Sequence, residues 1–375
     1  MTVRRPVRFA VLAALPLLAA TACGDRTREP RAVARTDPGT TAASQLRQSI
    51  ETATYSPPAA APQPTSPSPG GETGETPTPA NPSGVAGAAL PEDSRPDPAM
   101  VRAQILLDRT RFSPGIVDGL GGQNTRQAIA AFEEANDLAV DGELDAAVFQ
   151  RLAAGDSRKV LTDYTITAED AAGPFIGTVP EDIEAMSRLE TVGYANAREA
   201  LAEKFHMTEA LLDALNPGAD FARAGQNIVV AQTGPDALQG EVSRIVVSKA
   251  EQSVRAFGAD GTLLAFYPAT IGSTGTPSPS GSHTVRAIAP RPNYTYDPSR
   301  VSYGDGGRKV IVPPGPNNPV GSVWIDLSRD TYGIHGTADP EKIGKTASNG
   351  CVRLTNWDVE QLAAAVKAGV EVKFT

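Results

Sequence analysis

Two residues that could act together as a nucleophile and its base lie near the carboxyl end of the chain. His335 stands in Ile334-His335-Gly336-Thr337, and Cys351 follows a loop, in Ser348-Asn349-Gly350-Cys351-Val352-Arg353-Leu354. A thiol becomes a strong nucleophile when a base or cation populates its thiolate. His335 is the sole histidine near Cys351 in sequence. The pattern predicts a reactive cysteine served by a histidine.

The neighbours of Cys351 suit the same chemistry. A flanking glycine, Gly350, lets backbone N–H groups approach a tetrahedral oxyanion without interference from a Cβ atom. Arg353 lies two residues further on, shares a strand face with Cys351, and could bind a substrate carboxylate through two parallel hydrogen bonds. The alternative is an inert cysteine buried in a strand, which the nearby His335 and Gly350 disfavour.

Composition limits what else the chain could be. With 375 residues it is long enough for two or three domains. The formal net charge is -9, and no basic run follows the extreme N-terminus, which argues against nucleic acid as a partner. Two cysteines exclude a Cys₄ zinc site and a disulfide-rich scaffold, and with only three histidines besides we expect no Cys₂His₂ site within one chain. We expect no metal and no cofactor.

The pattern of residues 1–23 predicts an export signal at the N-terminus. Three arginines precede an apolar run, 9–20, of about a dozen residues, whereas a membrane span needs about 20. The stretch from Ala19 to Gly24 resembles a lipobox, which implies lipidation of Cys23. Gly24 is not the Asp that retains lipoproteins at the inner membrane, so we expect a periplasmic protein anchored to the outer membrane. The alternative is plain cleavage after Ala20-Thr21-Ala22 and a soluble periplasmic protein.

Residues 24–97 are rich in Pro, Ser, Thr, Ala and Gly. Such a composition buries too little apolar surface to offset its ordering entropy, and it predicts a disordered tether. Lipidation of Cys23 would leave Cys351 as the only thiol, which excludes a disulfide within the mature chain.

Three further segments differ in their hydrophobic patterns. Residues 98–157 have helical periodicity and two Val-Asp-Gly turns, and 158–235 read as two helices, an Asn-Pro stop, a Gly turn and an apolar strand. Residues 242–375 read as short strands with Gly and Pro turns, which predicts a sandwich or partial barrel. Within them, Thr355-Asn356-Trp357-Asp358 predicts the start of a helix that ends at Gly369.

Two of these segments resemble known wall-binding modules. Asp118-Gly119, Asn124 to Ile129, Phe132 and Leu138 to Gly142 resemble the helical peptidoglycan-binding domain, assigned to 98–157. A generic helical bundle is the alternative. Residues 158–235 are similar to a LysM-like α/β module, a family that binds N-acetylglucosamine chains.

Residues 242–375 resemble the catalytic domain of the L,D-transpeptidases (YkuD type), whose motif is H-G-T followed by S-H-G-C-[IV]-R-[LM]. Residues 276–281 (T-P-S-P-S-G) resemble its T-P-x-P-x-G element. The resemblance implies Cys351 as nucleophile, His335 as general base oriented by the Gly336 carbonyl, and an oxyanion hole from the N–H groups of Gly350 and Cys351. It assigns substrate binding to Thr337, Ser348, Asn349 and Arg353. Asn349 departs from the motif, which usually has His there.

The implied fold is multidomain, with a mainly-β catalytic domain preceded by the two small modules. The implied reaction releases D-Ala from a tetrapeptide stem of peptidoglycan and joins the acyl group to an amine in a 3→3 cross-link, without metal or nucleotide. Water as acceptor would give an L,D-carboxypeptidase or endopeptidase, and a protein lysine a lipoprotein-attaching enzyme. If Asn349 marks a decayed site, the chain is a non-catalytic wall anchor.

Overall fold

The computed structural model describes residues 38–55, 95–299 and 308–375. Helices dominate before residue 242 and strands after it. The helices are α1 (Pro38–Thr52), α2 (Pro98–Arg109), α3 (Gln123–Ala135), α4 (Ala146–Gly155), α5 (Ala168–Ala172), α6 (Ile183–Met186), α7 (Ala197–Lys204), α8 (Glu209–Leu215) and α9 (Asn356–Ala365). The strands are β1 (Leu161–Thr165), β2 (Asn227–Ala231), β3 (Arg244–Ser248), β4 (Ser253–Phe257), β5 (Leu263–Pro268), β6 (Gly281–Pro290), β7 (Tyr294–Tyr296), β8 (Val310–Val312), β9 (Val323–Leu327), β10 (Gly333–His335), β11 (Val352–Arg353) and β12 (Glu371–Phe374).

The export signal and Cys23 lie outside the described residues. Within the three described ranges, no helix has the length and apolar character that a membrane crossing requires.

The C-terminal domain is built on one eight-stranded sheet, in the order β11-β10-β9-β6-β12-β3-β4-β5. Strand β6 joins its two halves: residues 281–284 pair with β12, and Val285 onward pairs with β9, with a register shift between Val285 and Ala287. A bulge bends a strand and increases its twist, so the two halves can enclose a core. The prediction of a mainly-β domain of the sandwich or partial-barrel kind is confirmed.

Helix α9 packs on this core. Its N-cap, Thr355, accepts a hydrogen bond from the Asp358 N–H at 3.1 Å, as the sequence predicted. Val359 and Leu362 are fully buried in the cluster that fills the domain. The first turn of α9 therefore has a fixed position relative to β10 and β11.

The predicted helical domain consists of α2, α3 and α4. Asp97 caps α2 by accepting from the Met100 N–H at 2.8 Å, and Pro98 occupies the first turn, where its missing N–H costs nothing. The apolar residues of α2 and α3, among them Ile105 and Ile129, are buried together.

Residues 158–235 form a strand, helices and a second strand. Strands β1 and β2 pair antiparallel, from Leu161 opposite Ala231 to Thr165 opposite Asn227, and α7 and α8 lie between them in sequence. Their apolar residues belong to the same buried cluster as those of α2–α4, so the two segments share one core. Phe266 of β5 enters this cluster as well.

Helix α1 corrects the prediction that residues 24–97 are a disordered tether. Ile50 is fully buried in the shared core, and Leu46, one helical turn earlier, packs against it. Glu51 accepts from the Leu161 N–H at 2.9 Å, and Arg47 pairs with Asp163 at 2.7 Å. Because the segment as a whole is rich in Pro, its composition did not reveal a short stretch in which Leu46 and Ile50 lie four residues apart. The remainder, 24–37 and 56–94, lies outside the described residues.

We expect Ile50→Ala to lower the free energy of unfolding by about 2–5 kcal/mol, because it removes a fully buried side chain from the core. Chemical denaturation of wild type and variant measures the difference. Gln48→Ala, an exposed change in the same helix, is the control and should shift stability by less than about 0.5 kcal/mol. Equal stabilities for Ile50→Ala and wild type would mean that α1 is not docked.

Candidate active site

The pairing of β10 with β11 brings the predicted residues together. These strands run parallel, with Ile334 opposite Val352 and His335 opposite Arg353. Ile334 and Val352 are fully buried in the core. Because side chains alternate along a strand, His335 and Arg353 project from the other face. Cys351, immediately before β11, lies one position from Val352 and shares that face.

His335 is held in one tautomer. Its Nδ1 lies 2.7 Å from the Gly336 carbonyl oxygen, which can only accept, so Nδ1 carries the proton and Nε2 is the basic nitrogen. The ring is buried and stacks on Trp324 with centroids 5.4 Å apart. Burial, with a smaller contribution from the positive Arg353, lowers the pKa of His335 to about 3 despite the Gly336 carbonyl. The imidazole is therefore neutral.

Cys351 is a free, half-buried cysteine whose thiol donates to the Thr331 carbonyl at 3.6 Å. Burial raises the pKa of this thiol, and the Gly333 N–H and the charge of Arg353 offset the rise only in part. Both shifts, on Cys351 and on His335, disfavour a thiolate–imidazolium pair. The resting state is a neutral thiol and a neutral imidazole.

The loop before Cys351 is fixed by hydroxyl groups. Ser348 Oγ accepts from the Gly350 N–H at 3.1 Å and donates to the Cys351 carbonyl, and Ser278 Oγ donates to the Gly350 carbonyl at 2.8 Å. Gly350 has φ +112°, and a Cβ atom there would lie 2.8 Å from Tyr332 Cε1, so only glycine fits.

Two of the predicted residues have hydrogen-bond partners within this loop. The Gly350 N–H, predicted for the oxyanion hole, donates to the hydroxyl of Ser348, two residues earlier. Ser348, predicted to bind substrate, is buried and holds the loop. A short turn places its own polar groups within reach of one another, which the motif alone does not reveal.

The other predicted substrate residues differ in placement. Thr337 is buried, and its Oγ1 accepts from the Asp339 N–H at 3.2 Å in a turn. Asn349 is exposed. Arg353 is half-buried, and no carboxylate of the described chain pairs with its guanidinium. Of these three, Arg353 lies on the sheet face that Cys351 shares.

Sequence reasoning missed several supports of the site. The T-P-S-P-S-G element was noted only as a resemblance, yet its Thr276 donates to the Ser348 carbonyl at 3.0 Å and its Ser278 to that of Gly350. Trp324 beside His335 gave no local signal, because only the pairing of β9 with β10 brings them together. Among the described residues, no cluster of three or more His, Cys, Asp or Glu side chains could hold a metal ion.

Comparisons with known proteins agree with this class of site. Residues 243–373 match the family model YkuD, described as "L,D-transpeptidase catalytic domain", and 96–152 match a model described as "Putative peptidoglycan binding domain".

Individual relatives cover different shares of the chain. The "Putative L,D-transpeptidase YkuD" of Bacillus licheniformis is 32% identical over 180 residues, which is 47% of this chain and 92% of that protein. The "Probable L,D-transpeptidase ErfK/SrfK" of Escherichia coli is 33% identical over 166 residues, 42% of this chain and 52% of that protein, so the chain spans about half of that relative. A solved "L,D-transpeptidase from Mycobacterium smegmatis" has 19% identity and a TM-score of 0.30, covering 40% of this chain and 63% of that one.

The chain therefore belongs to the YkuD family of L,D-transpeptidases and carries a peptidoglycan-binding domain in front of the catalytic domain.

Because burial raises the pKa of Cys351, we expect its alkylation by iodoacetamide to be slow at pH 7. The rate should rise about tenfold per pH unit up to at least about pH 9, since only the thiolate reacts. Peptide mapping by mass spectrometry follows the label, with Cys351→Ser as the unlabelled control. A rate that is already constant below about pH 7 would show a preformed thiolate and contradict the assignment.

Asn349 stands where the family motif usually has His. Its side chain is exposed, where water screens its effect on the thiol. We expect Asn349→His to leave the midpoint of Cys351 alkylation within about 0.3 pH unit of wild type. Alkylation rates between about pH 6 and pH 10 measure this, and a shift of a full unit would show that this position tunes the nucleophile.

Proposed function

We propose that the protein is a peptidoglycan L,D-transpeptidase in which Cys351 takes an acyl group from a tetrapeptide stem, releases D-Ala, and passes the acyl group to an amine in a 3→3 cross-link. The observation that carries the proposal is the partly accessible thiol on the same sheet face as an imidazole whose Nδ1 is fixed by Gly336. Membership of the transpeptidase family and the peptidoglycan-binding domain support it.

In the first step, Sγ of Cys351 forms a bond to the carbonyl carbon that precedes the terminal D-Ala. Its proton passes to Nε2 of His335, and the carbonyl oxygen becomes an oxyanion. When the tetrahedral intermediate collapses, the C–N bond breaks and His335 returns the proton to the departing amine of D-Ala. The product is a thioester on Cys351 and a neutral histidine.

The resting electrostatics determine how this step proceeds. A raised thiol pKa and a lowered imidazole pKa oppose complete proton transfer before substrate arrives. Proton transfer is therefore coupled to attack, as general-base catalysis provides. The same shifts hold His335 ready to give the proton back, since a protonated imidazole of low pKa is a strong acid.

Two groups would bind the stem. The Gly350 N–H is engaged by Ser348, so the N–H of Cys351 is the backbone donor that this loop offers to the oxyanion. Arg353 would hold a stem carboxylate by a bidentate ion pair. Its charge also stabilises the thiolate character that develops during attack.

In the second step, an amine of another stem attacks the thioester carbonyl. His335 accepts the amine proton, the C–S bond breaks, and the proton returns to Sγ, so the enzyme is restored without a cofactor. The net change is one amide exchanged for another plus free D-Ala.

The N-terminal segments would place this chemistry at the wall. We propose that residues 158–235 are a LysM-like module that binds glycan, supported by the antiparallel pairing of β1 with β2, which have helices α5 to α8 between them in sequence. Export to the periplasm and lipid anchoring of Cys23 to the outer membrane belong to the same proposal and are supported by the N-terminal motif.

Purified protein incubated with tetrapeptide muropeptides should release D-Ala and show an acyl adduct on Cys351 by mass spectrometry. Cys351→Ala should lose D-Ala release by at least about 10³-fold, because the nucleophile is gone. His335→Gln should lose about 10²–10⁴-fold, because the base is gone. Arg353→Lys should raise KM more than it lowers kcat, since it keeps the charge and loses the bidentate geometry.

Lys373→Ala, an exposed change on β12, is the matched control and should behave as wild type. Release of D-Ala without a cross-linked product would identify water as the acceptor and a carboxypeptidase. Sedimentation with isolated wall without any adduct on Cys351 would replace the enzyme by a wall anchor.

A further inference from the structure

The carboxamide of Asn356, the first residue of α9, makes three hydrogen bonds. Its Oδ1 accepts from the Ser322 N–H at 3.0 Å. Its Nδ2 donates to Glu203 Oε1 at 2.9 Å and to the Pro316 carbonyl at 3.2 Å. These partners fix which end of the amide is oxygen, because the Ser322 N–H can only donate and the Pro316 carbonyl can only accept. Asn356 itself is 2% exposed.

This carboxamide lies directly on the peptide that orients the catalytic histidine. A Cβ atom placed on Gly336 would lie 2.1 Å from Asn356 Oδ1, and one placed on Gly321 would lie 2.2 Å from it. The glycines leave only enough space for the amide oxygen. The carbonyl of Gly336 is the acceptor for Nδ1 of His335.

Glu203 reaches this contact from α7, outside the catalytic domain. Its Oε1 accepts from Asn356 and also from the Tyr194 hydroxyl at 2.9 Å. Burial raises the pKa of Glu203 to about 7. Oε1 can accept in either protonation state, because the proton of the neutral form can sit on Oε2.

We propose that Glu203 is a positioning residue for the catalytic histidine and acts through Asn356 and Gly336. The inference rests on the proposed function, in which His335 is the general base. Glu203 supplies the acceptor that keeps the Asn356 amide in one orientation. Without it, the NH₂ group retains only the longer bond to Pro316, and the amide can rotate away from Gly336 and Ser322.

Rotation would affect the histidine rather than substrate binding. If Oδ1 leaves Gly336, the peptide that carries the Gly336 carbonyl gains room to tilt, and Nδ1 of His335 loses its fixed acceptor. A misplacement of about 1 Å in a catalytic group can cost up to about 10²-fold in rate. Neither Glu203 nor Asn356 is placed to bind the stem in the proposed mechanism, so KM should change little.

The test compares Glu203→Met, which keeps most of the volume and removes the acceptor, with Glu203→Gln, which can keep an amide oxygen facing Asn356. For D-Ala release, Glu203→Met should lower kcat about tenfold with KM within about twofold, whereas Glu203→Gln should retain at least about half of wild-type kcat. An unchanged kcat in Glu203→Met, or an equal loss in both variants, would overturn the proposal.

A second readout does not depend on turnover. The Nδ1–H proton of His335, identified by its absence in His335→Gln, should give a downfield, slowly exchanging NMR signal in the wild type and in Glu203→Gln. In Glu203→Met the signal should weaken or move upfield. If the wild type released no D-Ala but this pattern held, the proposed reaction would fail while the positioning contact stood; an unchanged signal in Glu203→Met would refute the contact.

Tyr194→Phe and Glu209→Gln serve as controls for general damage to this segment. The first removes the other donor to the same carboxylate oxygen, and the second breaks the ion pair with Arg198 in the same segment. Both should keep the wild-type kcat and the His335 signal. A loss in both equal to that of Glu203→Met would assign the effect to folding of the segment and contradict the proposal.

Discussion

The parallel pairing of β10 with β11 is the constraint on which the site depends. Ile334 and Val352 lie opposite each other and are both fully buried. Because side chains alternate along a strand, His335 and Arg353 lie on the opposite face, and Cys351, one position before Val352, shares it. A slip of one residue would move the apolar side chains out of the core and put these polar ones into it. The apolar residues of the two strands thus set the geometry of the polar ones.

Burial positions Cys351 and His335 and also determines which protonation state each of them favours. The half-buried thiol and the buried imidazole both favour their neutral forms, and the nearby Arg353 favours the thiolate while opposing the imidazolium. A neutral pair in a partly accessible site is less exposed to oxidation than a standing thiolate, since reactivity follows thiolate character. In the proposed function, this arrangement would keep Cys351 a thiol until a substrate triggers proton transfer.

The elements that depend mainly on nearby residues were predicted from the sequence. The strands after residue 242, the helices of 98–157 and the cap at Thr355 follow from periodicity and from short-range hydrogen bonding. Helix α1 was missed because its stability comes from Ile50 entering a core made by residues far along the chain.

The residues of the site fall into the same two groups: those predicted from local sequence and those that depend on contacts between distant residues. The motif identified His335, Cys351 and Arg353, and the pairing of β10 with β11 brings them to one face. It did not show that Ser348 engages the Gly350 N–H, nor that Asn356 lies on Gly336, because each depends on the three-dimensional closure of a loop or a helix start onto it. Contacts between residues far apart in the chain leave no periodic pattern or fixed spacing in the sequence from which they could be predicted.

The first turn of α9 is where the segments of the chain meet. Asp358 accepts from Ser113 of the helical domain at 3.1 Å, and Trp357 stacks on His206 with ring centroids 4.7 Å apart. His206 in turn pairs with Asp108 of α2 at 3.0 Å.

An apolar contact strengthens this polar junction. Backbone bonds link Phe266 of β5 to Arg111 and Ser113 at 3.0 and 2.9 Å, and the Phe266 side chain is buried in the N-terminal core. Large buried aromatic contacts resist separation far better than exposed ion pairs do. A joint of this kind holds the peptidoglycan-binding domain at a constant position relative to Cys351, so that, in the proposed function, binding of the wall by one part would determine which stems come within reach of the other.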